Sequence, residues 1–164
     1  MTSWTYDATG QITRQDFENG LYTEFGYDDR GRITSNVVKN ALGVPQRSES
    51  VSYNAAGRVT SRTIDGVTTS YTYDAAGNLL AESRTGYSAS YTYDTSGRRT
   101  SKTLNNNTEN YTYSGGRLTE VGSTTFGYDN NSRRTSMVTG SDTTSYGSDY
   151  EDRLTSVTPP GSSA

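Results

Sequence analysis

The chain is 164 residues long, with a formal net charge of −3, no cysteine and no histidine. Those absences exclude disulfides, thiol nucleophiles and soft metal sites. Acidic and basic residues are interleaved, with no basic stripe, which argues against nucleic-acid binding, and no apolar run approaches the length of a membrane span.

Leu, Ile, Val and Phe together number only 22, a level at which disorder is suspected, but the chain carries 14 tyrosines placed in register. Each ring buries a large area and keeps its hydroxyl at the wet edge, so a tyrosine ladder can replace an aliphatic core. The Tyr, Thr, Ser, Gly and Asn bias, with few helix formers in sequence, predicts an all-β fold.

From the N-terminus, one pattern recurs: Tyr-Asp-x-x-Gly, a polar residue, an aliphatic residue and Thr. It opens with Tyr6, Asp7 and Gly10, then with Tyr27, Asp28 and Gly31. Tyr53 and Gly57 follow, then Tyr73, Asp74 and Gly77, then Tyr93, Asp94 and Gly97. Modified copies start at Tyr113, with Gly116, at Tyr128, with Asp129, and at Ser148, with Asp149 and Arg153. The steps are 21, 26, 20, 20, 20, 15 and 20 residues, the signature of a repeat architecture.

One unit reads as a β-hairpin. Tyr71-Thr72-Tyr73 alternates as a strand does. Asp74 sits where a type I turn favours a carboxylate, and Gly77 sits where a three-residue loop closes through a left-handed residue. This predicts a register in which Tyr73 faces Leu79, Thr72 faces Leu80 and Tyr71 faces Ala81. Asp28 then faces Arg32, and Asp94 faces Arg98. One face of the sheet is expected to carry Tyr, Leu, Ile and Val. The other is expected to carry the carboxylate–guanidinium pairs and the threonines.

Along the chain, Met1-Thr2-Ser3-Trp4 resembles Leu154-Thr155-Ser156-Val157, so the sequence begins in the middle of a repeat. Asn40 to Pro45 is an insertion, read as a tolerated surface loop. Asp65-Gly66, Thr85-Gly86 and Asn105-Asn106 mark return turns, which must be odd in length or carry a bulge. Ser114-Gly115-Gly116-Arg117 suits a two-residue turn that pairs Tyr113 with Leu118. Asp152 and Ser132 stand in for the turn glycine. Arg99 and Arg134, in place of the aliphatic residue, are expected either to lay a guanidinium over a tyrosine ring or to point to solvent. The pairing of 137–148 is weakly specified, and Pro159-Pro160 stops the sheet.

These residues identify a resemblance. Tyr73-Asp74-Ala75-Ala76-Gly77-Asn78-Leu79 and Tyr27-Asp28-Asp29-Arg30-Gly31-Arg32-Ile33-Thr34 resemble YD repeats, the repeats of Rhs proteins, over nearly the whole chain. The resemblance covers the repeats of Rhs toxins, insecticidal toxin complex shells and teneurins. It implies tandem antiparallel β-hairpins of about 20 residues forming a curved, twisted, solenoid-like or spiral strip. The strip occupies 1–158 in about eight units, with a Pro/Gly/Ser-rich tail at 159–164. The family's self-cleavage motif has no match here, since Pro159-Pro160-Gly161 lacks its aspartate, so no catalytic residue transfers.

The recurring aspartates are therefore structural, and no catalytic, metal or cofactor role is expected. The clusters Asp149 to Asp152 and Asp28-Asp29 lack calcium-loop spacing. Tyr22, Tyr87 and Tyr146 are the tyrosines expected to stray from the ladder. Asn106-Asn107-Thr108 and Asn110-Tyr111-Thr112 fit the glycosylation acceptor pattern, which matters only in a eukaryotic secretory setting. The expected role is structural, in an extracellular or secreted bacterial shell or a self-assembling fibre. The partners would be other YD-repeat segments, in the same chain or in a head-to-tail homopolymer. The alternative is an adhesion module whose exposed tyrosines contact glycan or a cell-surface protein.

Overall fold

A computed structural model describes residues 2–161. Its sixteen strands are β1 (Ser3–Tyr6), β2 (Ile12–Asp16), β3 (Tyr22–Tyr27), β4 (Ile33–Lys39), β5 (Pro45–Tyr53), β6 (Val59–Ile64), β7 (Val67–Tyr73) and β8 (Leu79–Arg84). They continue as β9 (Tyr87–Tyr93), β10 (Arg99–Leu104), β11 (Asn107–Ser114), β12 (Arg117–Val121), β13 (Thr124–Tyr128), β14 (Arg134–Thr139), β15 (Asp142–Ser148) and β16 (Leu154–Thr158). No helix occurs among the described residues. The chain divides into two compact units, Met1–Ser88 and Ala89–Ala164. Within each unit, successive strands pair antiparallel in chain order, as the all-β hairpin-repeat reading expects. The sheet stops at Thr158, before Pro159; the last residues of the tail, 162–164, lie outside those described.

The register departs from a plain hairpin at one place in every unit. Tyr73 pairs with Leu79 as expected, but Thr72 pairs with Ala81 and Tyr71 with Glu82, leaving Leu80 as an extra residue. The same slip follows Tyr6, Tyr27 and Tyr53 in the first unit, and Tyr93, Tyr113, Tyr128 and Ser148 in the second. The pattern's Thr is thus the residue of a β-bulge: Thr13, Thr34, Thr60, Thr100, Thr119, Thr135 and Thr155, with Leu80 in its place once. A bulge adds one residue to one strand and restores the side-chain phase. This is how odd loops at one rim coexist with two-residue returns at 65–66 and 105–106; the longer return at 40–44 carries a register shift of its own, between Val38 and Lys39. Asp65 and Gly66 have φ of 47° and 84°, and Asn105 and Asn106 have 46° and 72°, the left-handed pair that a type I′ turn requires.

The shortened turn behaves as expected: Ser114 pairs with Arg117 and Tyr113 with Leu118. Segment 137–148, whose pairing the sequence specifies only weakly, takes a register with Ser136 opposite Ser145 and Thr139 opposite Asp142. Its register is set by the glycine turn at Gly140 and by the bulge that follows.

Neither unit has a conventional core. Among the described residues only Ala89 and Thr23 are buried, and neither completely. Most of the repeating tyrosines are half-buried, each packed against neighbours on its own face of the sheet. Leu42 in the insertion is 87% exposed, at the tip of the lengthened β4–β5 hairpin.

Candidate functional site

The chemistry of the chain is concentrated in its aspartate turns. Asp28 Oδ1 accepts the backbone N–H of Arg30 and of Arg32, and Asp28 Oδ2 accepts Arg32 Nε at 2.7 Å. Asp94, Asp129 and Asp149 repeat this with Arg98, Arg133 and Arg153. Asp7 uses Thr9 and Gln11, and Asp74 uses Asn78. A carboxylate that gathers this many donors favours its charged form. Bonds from the Arg32, Arg133 and Arg153 side chains hold Asp28, Asp129 and Asp149 below the usual carboxylate range. The Arg98 backbone N–H does so for Asp94, the Asn78 amide for Asp74, and the Thr9 hydroxyl for Asp7. These groups remain anionic at neutral pH and do not suit a general acid.

The arginines of these turns reach out of their own hairpin. Arg32 lies 4.3 Å from the centre of the Tyr53 ring, Arg58 5.9 Å from Tyr73, Arg98 4.9 Å from Tyr113 and Arg117 5.6 Å from Tyr128. The guanidiniums of the Asp28–Arg32 and Asp94–Arg98 pairs therefore reach rings of the tyrosine side, not the opposite face as the sequence suggested. A guanidinium stem is long enough to span adjacent strands and finds an aromatic face there.

Five of the pattern tyrosines also reach back. The hydroxyl of Tyr27 donates to the Ile12 carbonyl, Tyr53 to Ile33 and Tyr73 to Val59, each at 2.8 Å. In the second unit Tyr113 donates to Arg99 and Tyr128 to Leu118. Every acceptor is the residue just after a turn in the preceding hairpin. The result is a two-way clamp, with arginine reaching forward and tyrosine hydroxyl reaching back.

The clamp explains the turn glycines beyond their dihedrals. A Cβ at Gly57 would lie 3.4 Å from Arg32 Nη1, and one at Gly77 would overlap the Arg58 guanidinium. Ser132 and Asp152 occupy this position with φ of 70° and 63°, the substitution that the sequence indicated.

Arg99 stacks 4.4 Å from the centre of the Tyr111 ring and donates to its hydroxyl, as expected. Arg134 lies over Phe126, not over a tyrosine, because the residue two before Tyr128 in its partner strand is Phe. Of the three tyrosines expected to stray, only Tyr22 leaves the tyrosine side. Tyr87 donates to Glu82 beneath Arg84, and Tyr146 is half-buried opposite Val157. The exposed tyrosines are instead Tyr6 at 55% and Tyr150 at 87%.

The opposite face carries mostly small groups: Gly26, Ser35, Ser50, Thr63 and Thr68 lie in register across β3 to β7. One cluster interrupts it. Arg14 pairs with Asp16 and stacks 3.6 Å from the Tyr22 ring centre, while Lys39 pairs with Glu24. Sequence reading passed over this cluster; the i, i+2 spacing of Arg14 and Asp16 was its one local signal. No group of acidic side chains suited to a metal ion occurs among the described residues. A polar hollow of about 290 Å³ lies between turns 28–32 and 54–58, lined by Arg32 and Tyr53 of the clamp itself.

An antiparallel meander of hairpins, with the clamp repeated at successive junctions in each unit, defines a β-hairpin repeat protein. Residues 6–43 and 53–89 match the RHS Repeat family, in line with the YD-repeat resemblance of its motifs. No curated protein matches the chain. Among solved structures it is similar to a chain of the Tc holotoxin pore of Photorhabdus luminescens, at 18% identity and a TM-score of 0.60, over 96% of this chain. A TcdB2–TccC3 crystal structure is similar at the same identity and TM-score over 93% of this chain. The likeness is one of fold, and this chain spans only 11% of the length of either neighbour.

Proposed function

We propose that the chain is a non-catalytic structural segment, a stretch of wall in a secreted bacterial β-shell. The observation that carries this reading is the two-way clamp, whose groups are all spent on joining one hairpin to the next. The fold likeness to a chain of a bacterial holotoxin pore supports a secreted setting. A wall segment draws stability from nearest-neighbour contacts and resists attack along its length. Limited proteolysis of the purified chain should therefore cut only near the termini and in the 40–44 loop, where Leu42 stands exposed. Cleavage spread over the aspartate turns would overturn the reading.

Adhesion is the second reading, and the exposure of Tyr150 at a turn tip favours it. On that reading a glycan array gives a saturable signal that Tyr150→Ala abolishes. The wall reading expects no signal.

A further inference from the structure

In four turns the N–H edge of the arginine is filled by a carboxylate of the same turn. Arg32, Arg98, Arg133 and Arg153 each hold the aspartate four residues before them, at 2.6–2.8 Å. Turn 114–117 departs from this. It is one residue shorter, and Ser114 stands where the aspartate stands elsewhere. Arg117 keeps the clamp contact, with the face of its guanidinium 5.6 Å from the centre of the Tyr128 ring. Its N–H edge meets no carboxylate among the described residues; the one hydrogen bond it makes there runs from Nη1 to the Asp129 carbonyl, at 3.3 Å. Arg58, in the turn headed by Asn54, also lacks a carboxylate, but its guanidinium is packed against Gly77.

Beside Arg117 a hollow of about 350 Å³ lies between turns 114–117 and 129–133, walled by Ser114, Phe126, Tyr128, Asp129 and Asn130. The Asp129 carboxylate is already taken: it accepts Arg133 Nε and the backbone N–H groups of Asn131 and Arg133. A second guanidinium, Arg134, lies 4.5 Å from the centre of the Phe126 ring and pairs with no carboxylate among the described residues. The hollow therefore has two uncompensated cations at its wall and one carboxylate whose charge is neutralised by Arg133.

We propose that this hollow binds a small hydroxylated carboxylic acid, a sugar acid, whose carboxylate fills the Arg117 edge as the turn aspartates fill the others. A planar guanidinium matches a carboxylate through two parallel N–H bonds. The hollow is larger than a bare carboxylate and falls at the small end of ligand sites. The exposed Ser114 hydroxyl and Asn130 amide offer hydrogen bonds to the hydroxyls of the ligand's body. The site goes beyond the wall reading and does not depend on it, and Tyr150, on which the adhesion reading rests, does not line it.

Calorimetric titration of the chain with glucuronate tests this, with glucose as the neutral control. Glucuronate should bind saturably and about tenfold more tightly than glucose, or better. Arg117→Gln should remove that difference. Because Arg117 also packs on Tyr128, the decisive variant is Ser114→Asp, which supplies the carboxylate that the other turns carry. It should keep the circular dichroism of the parent chain and bind glucuronate about tenfold more weakly. Equal affinity for glucuronate and glucose, or undiminished glucuronate binding in a folded Ser114→Asp chain, would overturn the proposal. Neither result would touch the wall reading, which limited proteolysis tests without any ligand.

Discussion

The two rims of the hairpins follow different rules. At the aspartate rim, turns at 7–11, 28–32, 94–98, 129–133 and 149–153 share one hydrogen-bond scheme: the Asp N–H donates to the carbonyl four residues on, and its own carbonyl receives an N–H from the third. At the return rim, 17–21 and 40–44 are five-residue turns of the same form, 65–66 and 105–106 are left-handed pairs, and Gly122 and Gly140 take positive φ alone. The difference follows from what each rim touches. Aspartate turns hold the next hairpin through arginine and tyrosine, so their geometry is shared property. Return turns mostly close only their own connection; Asp65, which accepts the Ser48 N–H, is an exception.

Acid should break this contrast most strongly. The six turn aspartates have folded-state values below the ordinary 3.8, so their stabilisation is complete above that pH and is lost as pH falls through it. Urea midpoints followed by circular dichroism should be flat from neutrality to about pH 4 and fall steeply below.

Tyr73→Ala removes a half-buried ring together with its bond to Val59 and should cost about 2–3 kcal/mol in urea unfolding. Tyr73→Phe should cost about 1 kcal/mol, the share of the hydroxyl. An equal loss in both would mean that the ring packs nothing.

Gly77→Ala, at φ 99° and against Arg58, should cost about 1–2 kcal/mol. Ser132→Gly, at the same place in another turn, should add about 1 kcal/mol by relieving a left-handed serine. A matched pair of insertions gives the smallest effect. Gly-Ser-Gly after Ala41 should change stability by about 0.5 kcal/mol or less. The same insertion after Ala75 should cost more, because it uncouples Asp74 from Asn78.

The period, the hairpins, the left-handed turn positions and the Asp–Arg pairs were all legible in the sequence. They depend on interactions within about five residues, where backbone sterics and turn chemistry decide the outcome. The bulge at each pattern threonine was not legible, because Thr13 or Thr60 differs in no local way from a regular strand residue. The side on which the arginines stand was also hidden. So was the carbonyl that receives each tyrosine hydroxyl, since those partners lie 10 to 20 residues away across a junction. Local rules therefore determined the repeat itself. The tertiary structure decided how one repeat grips the next, because that grip exists only after two hairpins lie side by side and long side chains can span from strand to strand.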